Sequence, residues 1–542
     1  MKGDPIADLR AAIAAAAGGL SGDATPNFSL EQPPQPEFGD YSTNAAMLLA
    51  PTLGDQPRAI AERLSGELSS QLGEGLDRVE VAGPGFLNIF LADRWYREAA
   101  AALAAAGDDL GRVEREQAER VLVEFVSANP TGPLTAASGR HAAYGDSVAR
   151  ILEASGDEVA REYYVNDAGG QIERFALSIA ARMQGEDPPQ DGYEGAYVAE
   201  VAETLRGEGI GAEELDRIGV RGAELMRSSA EETLRRYGVE FDRWYSERSL
   251  HTAGGAMEGA LAELRERGDV YESEGATWLR TTSFGDDKDR VLRRSDGEPT
   301  YFLADIAYHR DKLDRCDWTI NVLGADHHGY VDRLKAGIAA IGYDPRRLQV
   351  ELIQLVHVIE GGERAQMSKR KGEFVTLDEL IDDIGADAAR FWMLQRSHET
   401  TVDLDLALAR KQSNENPVYY VQYAHARIAS ILRKAGEELV SSSLSEPASA
   451  SASLEPTERA LVRRLLQFPE EVASAAERRA PHRLCAYAMA TAADFHGFYR
   501  DCQVVGAEGE GVEAERIRLC VVTRRTIART LGLLGISAPE RM

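Results

Sequence analysis

The segment that most restricts the fold lies at 121–165. A short apolar run, VLVEFV (121–126), leads into a breaker-rich loop, SANPTGPLTAASG, then a helical stretch to about 154 and a second run, VAREYYV (159–165). Short apolar runs of this kind are typical of strands buried on both faces, and parallel neighbours need a crossover between them. Tyr144, Val148, Ile151 and Leu152 recur at helical spacing and give the crossover one apolar face. The unit reads as β-loop-α-β, the opening of a doubly wound, nucleotide-binding α/β fold.

The rest of the chain is organised around that unit. Its 542 residues suffice for three or four domains at roughly 100–200 residues each. Residues 1–110 read as a small α+β domain: helical patterns at 6–17 and 57–71 flank a Pro-rich stretch, and an apolar strand, VEVAGPGFLNIFL, follows near 79–91. The α/β domain spans 115–410. Within it, about 170–285 is acidic and Gly-punctuated and reads as a helical insertion, before strand signals return at 318–323 and 350–358. Thr376 with Glu379 predicts a capping box opening a helix. The remainder, 411–542, reads as all-helical apart from a Ser/Ala/Pro-rich loop at 441–456.

Several classes of protein are excluded. Charged residues at 28% and hydrophobic residues at 44% exclude wholesale disorder. No apolar run approaches the ~18 residues of a membrane span. MKGDPIADLR carries acids where a signal peptide needs bases, so the expected location is cytoplasmic. The four cysteines form no CxxC pair, which argues against a disulfide scaffold or structural zinc, and no metal site is expected. Net charge is −28, but from Lys411 onward 17 Lys and Arg meet 16 Asp and Glu. The C-terminal quarter thus escapes the acidity of the rest and could offer a local basic face to phosphates. Solvated helix faces would give the same count.

Five sets of residues carry candidate chemistry. Glu124 lies inside VLVEFV; a buried carboxylate there needs a cationic partner or ligand, whereas an edge strand would turn it to water. Tyr301 and Asp305, at i and i+4, share a helix face and with Glu124 could cradle a guanidinium. The SANPTGPL loop joins a strand end to a helix N-terminus, which aims unpaired N–H groups at a phosphate; Ser138 could cap that helix. GADHHG (324–329) follows strand WTINVL and sits at the same carboxyl edge of the sheet. MSKRKG (367–372) is a basic loop holding Lys369 and Lys371, two of only 8 lysines against 53 arginines. A compact ammonium suits a point contact to phosphate.

With these residues in view, the chain resembles the class I arginyl-tRNA synthetases from end to end. EFVSANPTGPL…GRHAAYGDSVARIL, YYVNDAGGQI, YFLADIAYH, LGADHHGYVDRL, MSKRKGEFVTLDELIDDIGADAARFWML, NPVYYVQYAHARI and the terminal LGLLGISAPERM match family blocks in order. The resemblance implies a Rossmann-like catalytic domain with a helical insertion, a small α+β N-terminal domain that reads the tRNA D-loop, and an all-α anticodon-binding domain. It implies attachment of arginine to its tRNA through an arginyl-adenylate, with ATP and Mg2+, and activation that needs bound tRNA. Arginine, ATP and arginine tRNA are the expected partners of a monomer with no membrane attachment. Glu124 and Asp305 would bind the guanidinium, with Tyr301 lining the pocket and Asn129 at the α-amino end. Gly324 and Asp326 would meet the ATP ribose, and Met367, Ser368 and Lys369 the triphosphate, with Gln366 in place of the first lysine of that loop. Phe86 and Asn88 would contact tRNA.

One departure matters. Where the family carries His-Val-Gly-His after NPTGPL, this chain has Thr135, Ala136, Ala137 and Ser138. Loss of one phosphate donor typically costs about 2.7–4 kcal/mol of transition-state stabilisation. Either the Thr135 and Ser138 hydroxyls act as catalytic donors in place of the imidazoles, or the chain is an activation-impaired, tRNA-binding paralogue. His141, one turn on, could also supply an imidazole. Retention of the guanidinium pocket favours an active enzyme. A nucleotidyltransferase without tRNA is disfavoured by the C-terminal domain.

Overall fold

Strand β1 (Arg120–Glu124) runs through the middle of a five-stranded sheet with β2 (Glu158–Val165), β3 (Arg243–Ser246), β4 (Trp318–Gly324) and β5 (Leu348–Ile353). The order is β5-β4-β1-β2-β3 and every pairing is parallel. The structure is a computed structural model that describes residues 4–22, 26–112, 117–252, 254–364, 375–445, 447 and 452–542. Because β1 is central, Glu124 is buried at 6% exposure, and the edge-strand alternative falls away. Helix α1 (Ala136–Ala154) crosses from β1 to β2 and lies so close to the sheet that a Cβ at Gly145 would stand 2.2 Å from the Phe125 ring. Only hydrogen fits there.

Three expected elements are built differently. The run at 79–91 is a hairpin, Leu76–Ala82 paired antiparallel with Phe86–Leu91, which turns where Gly83 and Gly85 take φ of 50° and 139°. The run at 350–358 divides at Gln354 into β5 and a separate strand, Val356–Glu360, that pairs in another sheet. Arg140 of α1 holds the break open by donating to the Gln354 carbonyl at 2.7 Å. The stretch at 170–285 contains helices Gly170–Gln184, Ala196–Gly207 and Leu215–Arg236 around their own core of Phe175, Ile179, Val198, Leu205 and Ile218. It also returns β3 to the main sheet and supplies the strands Val270–Ser273 and Ala276–Leu279. Four residues, RWYS, are too few for a period to show in sequence.

The N-terminal part is a four-stranded antiparallel sheet with helices on it, and the C-terminal part is helical from Pro417–Ala435 to Val512–Leu533. The two touch through ion pairs, Arg97 with Glu515 (2.9 Å) and Arg459 with Asp93 (2.6 Å). The C-terminal part also locks onto α1. Fully buried Arg390 donates to the Leu534 carbonyl (2.9 Å), the Tyr237 carbonyl (3.1 Å) and the Asp146 carboxylate (2.5 Å). Ser147 donates to the same Leu534 carbonyl (3.3 Å), and the Tyr144 phenol donates to the carbonyl of Arg479 (2.8 Å). Tyr144, Asp146 and Ser147 all belong to α1. Among the described residues no helix is long and apolar enough to cross a membrane.

Candidate active site

Strand order reverses between β1 and β4, and in such sheets the crevice beyond the carboxyl ends of those strands is where ligands bind. A cavity of about 700 Å³ opens there, lined among others by Glu124, Asp305, Asn321, Gly324, Asp326 and Tyr330. The chain leaves β1 in the left-handed region, with φ of 69° at Val126 and 40° at Ser127. A β-branched residue rarely accepts that conformation, and such strain gathers at functional sites. The result is that the Ser127 hydroxyl turns back to donate to Glu124 at 2.9 Å.

Helix α2 (Tyr301–Arg315) brings a second wall. Thr300 caps it, its hydroxyl accepting from the Leu303 N–H. Tyr301, Asp305, Tyr308, His309 and Lys312 fall at helical spacing along one face, so one stripe carries the polar groups of the site. Lys312 is completely buried and forms an ion pair with Glu124, also donating to Asn321 Oδ1 at 2.8 Å. Burial would raise the Glu124 carboxyl, but the Lys312 ammonium outweighs it and holds that group below the usual carboxylate range. Asn321 Nδ2 then donates to His309 Nε2 (2.8 Å), which leaves Nδ1–H to donate to the Asp305 carbonyl (2.8 Å). Burial, with Lys312 beside it, pushes the His309 imidazole down to about 3, so it is neutral.

Among the described residues Asp305 has no direct ion pair of that kind; Lys312 and Arg333 lower it only from further off. Burial raises its carboxyl to about 6; Tyr330 counteracts this by donating to it, while Glu124 adds repulsion. Glu247, buried at 3% exposure, is raised to about 7 by burial, then by Asp305 and Asp167. Neither of these two buried carboxylates forms an ion pair with a Lys or Arg among the described residues, although Tyr164 donates to Glu247. Glu247 was missed in the sequence, and so was Tyr330. Tyr301 lines the cavity at its mouth, 64% exposed, and the phenol that meets Asp305 is that of Tyr330.

At the head of α1 the cap is Thr135, not Ser138. Thr135 Oγ1 accepts from the Ser138 N–H (3.3 Å) and Ser138 Oγ from the Thr135 N–H (3.4 Å), a closed capping box. Ala136 donates to the Val375 carbonyl (3.0 Å) and Leu377 to that of Leu134 (2.8 Å), which fixes this turn to the chain before helix Leu377–Ile384. That helix opens with the expected Thr376–Glu379 box. Neither Thr135 nor Ser138 lines the cavity, whereas His141 does. Burial and the neighbouring Arg140 push the His141 imidazole down to about 4, and its Nδ1 has no partner among the described residues. Asn129 donates to Gln171 at 2.6 Å, outside the cavity lining. Gly324 and Asp326 lie on the cavity wall, the Asp326 side chain 83% exposed. Gln366, Met367, Ser368, Lys369 and Lys371 lie outside the described residues.

Two further surfaces are polar and open. Phe86, 38% exposed, faces solvent on the N-terminal sheet, while Asn88 is buried and accepts from the Ser42 hydroxyl at 3.1 Å. On the C-terminal part, Tyr419 and Tyr423 stack with planes 9° apart, and the Arg427 guanidinium lies over the rings of Tyr423 (4.9 Å) and Tyr499 (5.0 Å). His496 and Arg500 complete this concave, aromatic and basic groove.

Comparison with known proteins agrees across the whole chain. Three family models match: the arginyl tRNA synthetase N terminal domain at 7–91, the tRNA synthetases class I (R) catalytic domain at 223–418 and the DALR anticodon binding domain at 421–542. An arginine--tRNA ligase of Frankia alni is 47% identical, over 99% of this chain and 100% of its own. One from Shouchella clausii is 44% identical over 95% of both chains. The solved arginyl-tRNA synthetase of Thermus thermophilus superposes with a TM-score of 0.75 at 26% identity, covering 98% of this chain and 99% of that one.

Proposed function

Since this chain belongs to the arginyl-tRNA synthetases, class I enzymes that use ATP to attach arginine to its tRNA, we propose how its side chains divide the work. The activation-impaired alternative gains no support from these relatives. The observation that carries the reading is the pair of buried carboxylates raised by burial without a Lys or Arg ion pair among the described residues, Asp305 on the cavity wall and Glu247 behind the lining. A cation belongs where two carboxylates repel each other, and a planar guanidinium can take a charge-assisted hydrogen bond from each. Glu124 already has Lys312 as counter-charge, so the guanidinium goes to Asp305 and Glu247, and Glu124 faces the second cation of the substrate, its α-ammonium. Asn129, bonded to Gln171 outside the cavity lining, is assigned to the same end. Tyr330 orients Asp305, and Tyr301 closes the mouth.

The arginine carboxylate attacks the α-phosphate of ATP in line and pyrophosphate leaves; a tRNA hydroxyl then takes the arginyl group from the adenylate, with AMP as the leaving group. No general base is needed, because the nucleophile is already ionised. Catalysis is therefore positioning and charge stabilisation. Gly324 and Asp326 hold the ribose side. The dipole of α1 points its positive end toward the phosphates, His141 supplies an imidazole from one turn beyond the cap, and Met367, Ser368 and Lys369 meet the triphosphate. Mg2+, when bound with ATP, would neutralise part of the phosphate charge. Phe86 touches the tRNA body, and the Tyr419–Tyr423–Arg427 groove stacks its anticodon bases. The enzyme acts as a cytoplasmic monomer, divided at 1–110, 115–410 and 411–542. Purified chain with ATP, Mg2+ and total tRNA should charge arginine and reject citrulline, which lacks the cationic guanidinium. Charging of citrulline at a comparable rate would overturn the assignment of the two carboxylates.

A further inference from the structure

Lys312 does not line the cavity, yet it is tied to the residues that do. Its ammonium meets three groups: the Glu124 carboxylate, Asn321 Oδ1 at 2.8 Å and the face of the Tyr308 ring, 4.4 Å from its centroid. Each partner is itself fixed. Glu124 accepts from Ser127, Asn321 donates to His309, and the Tyr308 phenol donates to Glu162 at 2.8 Å. The chain of contacts ends on the backbone of Asp305, through His309 Nδ1 at 2.8 Å. So one buried cation is wired both to Glu124 and to the helix turn that carries Asp305.

A buried ion pair is a poor device for stability alone, because desolvating two charges offsets most of their attraction. The residue type is informative as well. This chain writes 53 of its 61 basic residues as Arg, but at position 312 it places a Lys, whose compact ammonium fits where a planar fork would not.

We propose that Lys312 is a positioning residue for arginine recognition: acting through Glu124 and Asn321, it holds the carboxylate that receives the substrate ammonium without touching the substrate. The proposal rests on arginine occupying this cavity. Lys312 balances the charge of Glu124, so that carboxylate stays ionised and aimed.

The test is a double-mutant cycle on the intact enzyme with arginine KM, ATP KM and kcat read separately. Lys312→Met and Glu124→Gln should each raise arginine KM by about tenfold or more and leave ATP KM within about twofold. In Lys312→Met/Glu124→Gln the arginine KM should lie within about twofold of the worse single variant, because both changes disable one device. Asp305→Asn is the control for the site itself. If it and Glu124→Gln both keep the wild-type arginine KM, arginine binds elsewhere and the reading of the cavity fails. If they lose affinity while folded Lys312→Met does not, or if the two changes multiply in the double variant, the role of Lys312 is overturned. A purely structural lysine would lower the melting temperature and leave arginine KM unmoved. Should Lys312→Met fail to fold, Asn321→Leu releases the ammonium from its second anchor; a wild-type arginine KM there would overturn the proposal equally.

Discussion

Glu124 on β1 and Asn321 on β4 stand opposite each other in the parallel register, and the two share the ammonium of Lys312. The electrostatics of the cavity therefore depend on strand alignment. A slip of one residue would turn Glu124 to the other face of the sheet and strand a buried cation.

Arginine binding should expel protons from the site. In the free protein burial holds Asp305 at about 6 and Glu247 at about 7, both above the ordinary carboxylate values of 3.8 and 4.5. Because these folded values are raised, the free protein loses stability as pH rises from about 4 to about 7 and the groups ionise in place. Bound guanidinium needs both ionised, so arginine KM should rise as pH falls below about 7. Calorimetry in buffers of different ionisation heat should show proton release near pH 6.5 that fades above about pH 8.5. A binding heat that is the same in every buffer would remove these carboxylates from the site.

Asp305→Asn and Glu247→Gln should each weaken arginine by about 1.5–3 kcal/mol, the value of a charge-assisted contact. The loss should appear in KM for arginine. Glu247→Gln also removes a repulsive neighbour of Asp305, so its melting temperature near pH 8 should hold or rise while affinity falls. Wild-type arginine KM in both variants would place the guanidinium elsewhere.

The head of α1 separates a structural role from a chemical one. Thr135 is the N-cap, so Thr135→Ala should lower stability by about 1 kcal/mol and kcat by less than tenfold. His141→Ala should lower kcat by about tenfold or more and leave arginine KM near wild type. A tenfold loss of kcat in Thr135→Ala with an unchanged melting temperature would put its hydroxyl on the phosphates instead.

Phe86 and Asn88, two residues apart on one strand, should respond oppositely. Phe86→Ala removes an exposed ring and should raise tRNA KM without touching stability. Asn88→Ala leaves the Ser42 hydroxyl without its buried partner and should cost about 1–3 kcal/mol of stability. A neutral Phe86→Ala in charging assays would free that surface from tRNA.

Sequence carried the frame of this molecule well and the depth of the site poorly. The strand-loop-helix-strand unit at 121–165 was plain because its apolar runs and its helical period are both long enough to count. Asp305 was visible from its spacing to Tyr301. Glu247 was not, since it follows a four-residue strand inside a stretch whose acidic helices looked like an insertion. Tyr330 and Lys312 were invisible for a different reason. Their importance arises only when β4 and α2 bring distant positions together, and no local period records that. Ser138 looked like the cap because serine favours the role, but the Thr135 hydroxyl lies one turn earlier and reaches the free N–H first.

Helix α1 brings His141 to the cavity wall and turns its flank to Arg390 and the Leu534 carbonyl. The C-terminal domain is consequently no interchangeable cartridge. Grafting that of another synthetase onto this catalytic core would transplant tRNA preference only if the seam around Leu534 and Arg479 came with it. Without that seam, a chimera would bind its new tRNA and stall at the first chemical step, and a deletion confined to the final loop would behave as an active-site lesion.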